Sequence, residues 1–273
     1  SLGLSTTQLA RALHRFRGVK RRQEFCGVAA GVTVIDDYAH HPTAVRETLG
    51  ALRQVSGKGR LLAVYEPRSA TSRRSTFQDA WAVAFEGADA VVLAPLWKPD
   101  GIPQAERFSR EKLVIDLRAR GTAARALDGV DEIVRHVAEN AKPGDFVVAF
   151  SSGPFDGVPE RILRHLGDPI MPVRPEEMDT IRGILGQTGL GEEDTTEVAA
   201  HSFLAVSDEA GIVGCVALQQ YDDAAILRSL AVVSERRGRG LGWMLADCVL
   251  GRARGSGVRR LYLLTESASD FFA

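Results

Sequence analysis

The chain has 273 residues, 45% hydrophobic and 25% charged, a balance that excludes a disordered protein and allows two globular domains. Its 34 basic and 35 acidic residues leave a net charge of −1, so no global field recruits nucleic acid or an anionic membrane. Cys26, Cys215 and Cys248 suggest neither a disulfide framework nor a zinc site, and no apolar run reaches the roughly 18 residues a membrane helix needs.

The chain begins without Met and shows no signal pattern, so a cytoplasmic protein, or a fragment of one, is expected. Strand and helix patterns then alternate. Val32–Ile35, Leu61–Tyr65, Ala90–Ala94, Leu113–Ile115 and Phe146–Phe150 are short apolar runs that predict strands. Pro42 to about Val55, Thr71–Phe85 and Asp128–Asn140 predict helices between them. Strands apolar throughout, rather than alternating, belong to a parallel sheet covered on both faces. A doubly wound α/β domain follows, with its site at the carboxyl ends of the strands.

Leu166–Pro175 carries three prolines and no helical period, placing a boundary near residue 168. Beyond it the order changes. Helices are predicted over Glu176–Leu185 and around Glu192–Ala200, then strands over Phe203–Val206, Ile212–Leu218 and Ile226–Val233 with no helix between them. Asp208-Glu-Ala-Gly211 reads as a hairpin turn. A helix from Leu241 to about Arg254 and a strand over Arg259–Glu266 complete a partial α+β unit.

In the first half, Ile35-Asp-Asp-Tyr-Ala-His-His-Pro-Thr43 lies where a strand gives way to a helix, and Pro42 suits the first helical turn. Acids and histidines there suit ribose, metal or substrate contacts. Adjacent His40 and His41 cannot easily share one metal, and Asp36 or Asp37 could simply cap the helix. Tyr65-Glu-Pro-Arg-Ser-Ala-Thr-Ser-Arg-Arg74 leaves the next strand with three arginines, suited to carboxylates or phosphates, or else a solvated capping loop.

Gly18-Val-Lys-Arg-Arg-Gln-Glu24, Asp36-Asp-Tyr-Ala-His-His-Pro42, Glu66-Pro-Arg-x-x-Thr-Ser-Arg-Arg74 and Phe150-Ser-Ser-Gly-x-Phe-Asp-Gly157 occur in an order that resembles the C-terminal domain of the Mur ligases. The Glu-Pro-Arg variant resembles their peptidoglycan-recycling (Mpl) branch, which joins a murein tripeptide to UDP-N-acetylmuramate. The resemblance covers roughly residues 1–167, with residues 1–18 as the tail of a central domain plus linker and 19–167 as the C-terminal domain. It implies Mg-ATP activation of the muramate carboxylate, followed by attack of the peptide amine. By the same resemblance Arg22 and Asp37 contact the nucleotide. His40, His41, Arg68, Arg73, Arg74, Ser151, Ser152 and Phe155 are candidates for the peptide cleft. No Gly-x-x-x-x-Gly-Lys-[Ser/Thr] loop occurs in the chain, so by itself it is not expected to activate a carboxylate.

In the second half, Arg236-Arg-Gly-Arg-Gly-Leu-Gly242 follows an apolar strand and opens a helix. Glycines that admit close backbone approach, free N–H groups and the helix dipole suit a phosphate chain. Arg237-x-x-Gly240-x-Gly242 resembles the pyrophosphate loop of the GNAT N-acetyltransferases, as do the strand-to-helix entry at Pro172–Arg182 and the order of elements. That resemblance implies an acetyl-CoA site made by Leu230, Ala231, Val232, Arg237, Gly238, Arg239, Gly240 and Gly242, a small amine substrate, and a domain over 168–273 that stops short of the full fold. It assigns no acid or base; Glu266 could face the cleft. Acetyl transfer as the main activity and a non-catalytic binding fragment are the alternatives to the ligase reading.

Overall fold

The computed structural model describes residues 5, 6, 8, 19–190 and 198–263. The chain divides between Gly167 and Asp168 into two compact units.

The first unit runs β1 (Glu24–Ala29), β2 (Val32–Asp37), α1 (Pro42–Val55), β3 (Leu61–Tyr65), α2 (Gln78–Ala84), β4 (Ala90–Leu93), α3 (Arg110–Ala119), β5 (Ala123–Ala126), α4 (Val130–Asn140), β6 (Phe146–Phe150) and α5 (Val158–Leu166). Its strands lie in the order β1-β2-β6-β3-β4-β5. β2, β6, β3, β4 and β5 are mutually parallel, and β1 is antiparallel to β2. Alternate strand residues feed two cores. Ile35, Ala63, Tyr65, Leu93 and Val148 pack with Leu49 of α1, Trp81 of α2 and Leu117 of α3. Val34, Leu62, Val64 and Val147 of the same strands are also buried, as are Ile133 and Val137 of α4 and Ile162 of α5. Helices α4 and α5 pack together, and α5 lies against β1 and β2. Both faces are covered, which is why the strands carry no polar alternation.

One expected strand is a helix. Leu113-Val-Ile115 lies inside α3, where Ser109 Oγ caps the first turn by accepting the Lys112 N–H at 3.0 Å. Leu113, Val114 and Leu117 are buried while Ile115 is 67% exposed, so three apolar residues in a row straddle a helix face. The expected helix over Thr71–Phe85 is confined to α2, after a 3₁₀ turn at Ser75–Phe77. Strands β1 and β5 were not expected: β1 carries Glu24, Cys26 and Gly27, and β5 is Ala-Ala-Arg-Ala, without a β-branched residue.

The second unit runs β7 (Ile170–Pro172), α6 (Met178–Gln187), β8 (Phe203–Asp208), β9 (Gly211–Tyr221), β10 (Ala224–Val232), α7 (Leu241–Gly255) and β11 (Arg260–Leu263). Strands β7 to β10 are antiparallel neighbours in chain order, and β11 runs parallel to β10. Asp208 Oδ1 accepts the Ala210 N–H at 2.8 Å and Gly211 takes φ +119°, closing the expected hairpin between β8 and β9. Ile181, Leu185, Phe203, Cys215, Ala217 and Ala231 form its core. Most of the helix expected around Glu192–Ala200, and the end of the last strand with Glu266, lie outside the described residues. Among the described residues no helix is long and apolar enough to cross a membrane.

Candidate functional site

The chain steps from β3 outward to β4 and β5, then returns to insert β6 between β2 and β3. The segments leaving β3 and β6 therefore head toward opposite helical layers and open a crevice at the strand ends. Asp37 and Tyr65 both stand level with Phe150, so the next residues along, Tyr38, Ser151 and Glu66, line the rim.

Ser151 is fully buried at the centre of that rim. Its Oγ donates to Glu66 Oε2 and accepts the Gly153 N–H at 3.0 Å, so the hydroxyl is satisfied in both directions. Glu66, 7% exposed, also pairs with Arg68 at 3.3 Å. A Cβ on Gly153 would lie 2.0 Å from Arg68 Nε, so the glycine leaves the space that the guanidinium fills. Glu66 belongs to this site although it was not among the expected residues; its signal was an acid directly after five buried apolar positions.

Asp37 faces inward. At 2% exposure its Oδ1 accepts the Ala39 N–H at 2.7 Å and its Oδ2 accepts the Gln23 N–H at 2.8 Å and the Thr48 hydroxyl at 3.4 Å. Both oxygens are occupied by the chain itself, so Asp37 fixes the segment ahead of β1 and is not a free ribose ligand. Arg21 reinforces this, bonding Asp36 at 2.8 Å and the Ser151 carbonyl at 2.8 Å, with Arg21 and Gln23 both left-handed at φ +59° and +49°. Arg22 is exposed, with its guanidinium 5.0 Å from the Tyr38 ring centroid.

The remaining expected residues divide. Arg68 lies 4.2 Å from the Trp97 ring centroid at the crevice, and His40 is half-buried beside Tyr38, its Nδ1 2.9 Å from the Tyr38 carbonyl. Ser152 is half-buried on the β6 loop. His41 caps α1, its Nδ1 accepting the Thr43 N–H at 3.3 Å, so a histidine takes the capping role considered for the aspartates. Three more of the expected residues are engaged by the protein itself. Arg73 donates to the Lys98 and Trp97 carbonyls at 2.7 and 3.2 Å, so its guanidinium anchors a loop. Arg74 pairs with Glu106 on the surface. Phe155 is 2% exposed, with its side chain buried.

A surface cavity of about 380 Å³ lies at the opposite, amino-terminal end of the sheet, among Ala30, Val32, Pro143 and His165. It is remote from this constellation. Among the described residues no group of three His, Cys, Asp or Glu side chains is arranged to hold a metal ion.

In the second unit, β10 breaks register between Arg228 and Ala231, with Ser229 left-handed at φ +56°. Gly214 faces this bulge, where a Cβ would approach the Ala231 carbonyl to 2.9 Å. After β10 a 3₁₀ turn at Ser234–Arg236 leads through Gly238 and Gly240, at φ +77° and +82°, into α7. Gly240 is its N-cap and supplies no side-chain cap, so the cap side chain offers no acceptor to the first-turn N–H groups of Leu241 and Gly242. No heavy atom lies within 4 Å of a Cβ built on Gly238 or Gly240. Arg239 is exposed, whereas Arg236 pairs with Asp208 at 2.6 Å and Arg237 donates to the Val232 carbonyl at 2.9 Å. Arg237 is therefore committed to its own loop. The cradle fits an anionic phosphate chain; Leu230, Ala231 and Val232 lie on the strand that feeds it.

The first unit thus has the architecture of a doubly wound α/β domain with a crevice at its strand ends, and the second has a glycine-rich loop at a helix start. Residues 21–153 belong to the Mur ligases, matching their glutamate ligase domain, and residues 167–272 match the GNAT acetyltransferase family. The UDP-N-acetylmuramate–L-alanine ligase of Agrobacterium fabrum is 40% identical over 153 residues, which are 56% of this chain and 32% of that one. A murein peptide ligase from Psychrobacter arcticus is 35% identical, with 60% of this chain and 34% of that chain covered and a TM-score of 0.49. Rv2747 from Mycobacterium tuberculosis, solved with CoA, is 23% identical, with 38% and 68% covered and a TM-score of 0.35. The chain spans about a third of the length of the curated relatives it matches.

Proposed function

We propose that residues 19–167 form the acceptor-receiving domain of an ATP-dependent ligase that joins a murein tripeptide to the carboxylate of UDP-N-acetylmuramate. The observation that carries this reading is the convergence of Arg68, Glu66 and Ser151 at the β3–β6 crevice. A guanidinium held by one buried acid is pre-oriented to take a peptide carboxylate with its remaining donors. His40 and Ser152 would offer further polar contacts at the same rim. Ser151 and Arg73 act indirectly, by holding Glu66 and the Trp97 loop. Exposed Arg22 suits a nucleotide phosphate, while Asp37 serves the reading only as the post of the segment that carries Arg22. When bound, Mg-ATP supplies the activation of the muramate carboxylate. The chain's own residues bind and orient the incoming amine, and such positioning carries much of the catalysis of phosphoryl and acyl transfer.

The test is a fusion of this chain to the P-loop region of a Mur ligase, assayed for acceptor-dependent phosphate release. Tripeptide should support turnover, and Arg68→Ala should lower kcat/KM for it by about one to two decades. Turnover with L-alanine but not tripeptide would redirect the reading to the amino-acid-adding branch.

A second activity is favoured by the open, uncapped loop at Gly238–Gly242. We infer that residues 168–273 belong to an acetyl-CoA-dependent N-acetyltransferase acting on a small amine. Backbone N–H groups from Gly238 to Gly242 and the Arg239 side chain would hold the pyrophosphate. Acetyl-CoA, when bound, supplies the acetyl thioester. Calorimetry with CoA tests the cradle directly.

A further inference from the structure

Three cations surround one indole at the mouth of the β3–β6 crevice. From the Trp97 ring centroid, Arg68 Cζ is 4.2 Å away, Lys98 Nζ 4.6 Å and Arg73 Cζ 5.9 Å. The loop that carries the ring is held in place from below. The Trp97 N–H donates to the Pro67 carbonyl at 3.1 Å, tying the segment after β4 to the segment after β3. Arg73 bonds the carbonyls of Trp97 and Lys98. Lys98 itself sits at φ +44°, a left-handed backbone that a lysine adopts only when its surroundings impose it.

The charge at this ring does not balance. Arg68 has Glu66, but among the described residues no ion pair neutralises Arg73 or Lys98. The indole face offsets part of that excess. Arg73 also has its carbonyls, whereas Lys98 is exposed and projects its ammonium beside a half-exposed ring. A merely solvated basic loop would need neither a guanidinium bracing two consecutive carbonyls nor a left-handed lysine.

We propose that Arg68, Trp97 and Lys98 form a carboxylate-reading platform that selects an acceptor amine bearing two or more carboxylates over a neutral amino acid with one. Arg68 takes one carboxylate, Lys98 takes a second, and the indole packs on the aliphatic chain between them. The proposal rests on the ligase reading above and deepens it, since it fixes the charge of the acceptor and adds Trp97 and Lys98 to the site.

The experiment is an NMR titration of the ¹⁵N-labelled chain, with the Trp97 indole N–H assigned by Trp97→Phe. Three probes are used: L-alanyl-γ-D-glutamyl-meso-diaminopimelate, the same peptide with its carboxylates amidated, and L-alanine. The acidic tripeptide should shift the Trp97 indole saturably, and the other two should not. Lys98→Met, an exposed substitution, should weaken that binding about tenfold and flatten its salt dependence, with the rest of the spectrum unchanged. If the tripeptide binds but moves only resonances away from Trp97, or if Lys98→Met binds it equally well, the platform is overturned while the ligase reading stands. Equal shifts with L-alanine overturn the proposed selectivity. Absence of any shift with the tripeptide at millimolar concentration overturns both readings together.

Discussion

Ser151 Oγ donates its proton to Glu66 Oε2, joining the end of β6 to the end of β3 at the point where the strand order reverses. The serine has no exposure to solvent and simultaneously accepts the Gly153 N–H, so it couples the loop over Arg68 to the acid beneath it. Ser151→Ala leaves a buried carboxylate and a buried amide each short of one partner. Stability should fall by about 2 kcal/mol, the cost of an unmade hydrogen bond to a charged group. Urea denaturation measures it, and a loss below about 0.5 kcal/mol would show that the pair does not brace the crevice.

Asp37 holds the backbone at Gln23 and Ala39 with separate oxygens. Asparagine keeps one acceptor oxygen and turns a donor toward the other amide. Asp37→Asn should therefore cost about 1–3 kcal/mol and speed hydrogen exchange at Gln23 or Ala39 far more than in β3. Uniform loss of protection across the unit would indicate a purely global effect instead.

Acid should weaken the first unit through Asp145. Burial pushes its carboxyl up, but hydrogen bonds from Arg60 and from the Lys142 N–H, with the Arg60 charge, hold it below the usual carboxylate value. A group whose pKa is depressed on folding contributes stability that is present above its unfolded pKa, about 4, and lost as pH falls through the lower folded value. Arg60 is 39% exposed at its side chain, so solvent screening limits the pair to about 1 kcal/mol. Asp145→Asn should flatten the stability profile below pH ~4 relative to the parent, measured by urea midpoints at several pH values. Identical slopes would assign the acid loss to other carboxylates.

Gly240 stands at φ +82° with open space where a side chain would go. Gly240→Ala should cost about 1 kcal/mol through backbone strain, read from the thermal midpoint. Gly240→Glu should in addition weaken CoA binding at least tenfold, because a carboxylate would occupy the space and charge of the phosphates. Calorimetry showing equal CoA affinity for the two variants would reduce the loop to a turn.

The sequence by itself determined the sheet type, the ends of β3 and β6, the hairpin at Asp208–Gly211 and both families. Each is written in local chemistry: unbroken apolar runs, turn residues, and glycines at positions that need a left-handed backbone or an open approach. It misread Leu113–Ile115 because three consecutive apolar residues fit a buried strand as well as a helix face, and only packing leaves Ile115 in water. It missed β5, whose pairing with β4 outweighs a weak local preference. At the site, sequence located the charged segments but could not say which side chains face the crevice. Asp37 and Phe155 are buried, and Arg73 is spent on the Trp97 and Lys98 carbonyls, because strand ends and loops must satisfy backbone groups and fill the core before any group is left for a ligand. Trp97 and Lys98 come beside Arg68 only because β3 and β4 are parallel neighbours, a relationship between residues some thirty positions apart that tertiary pairing alone decides.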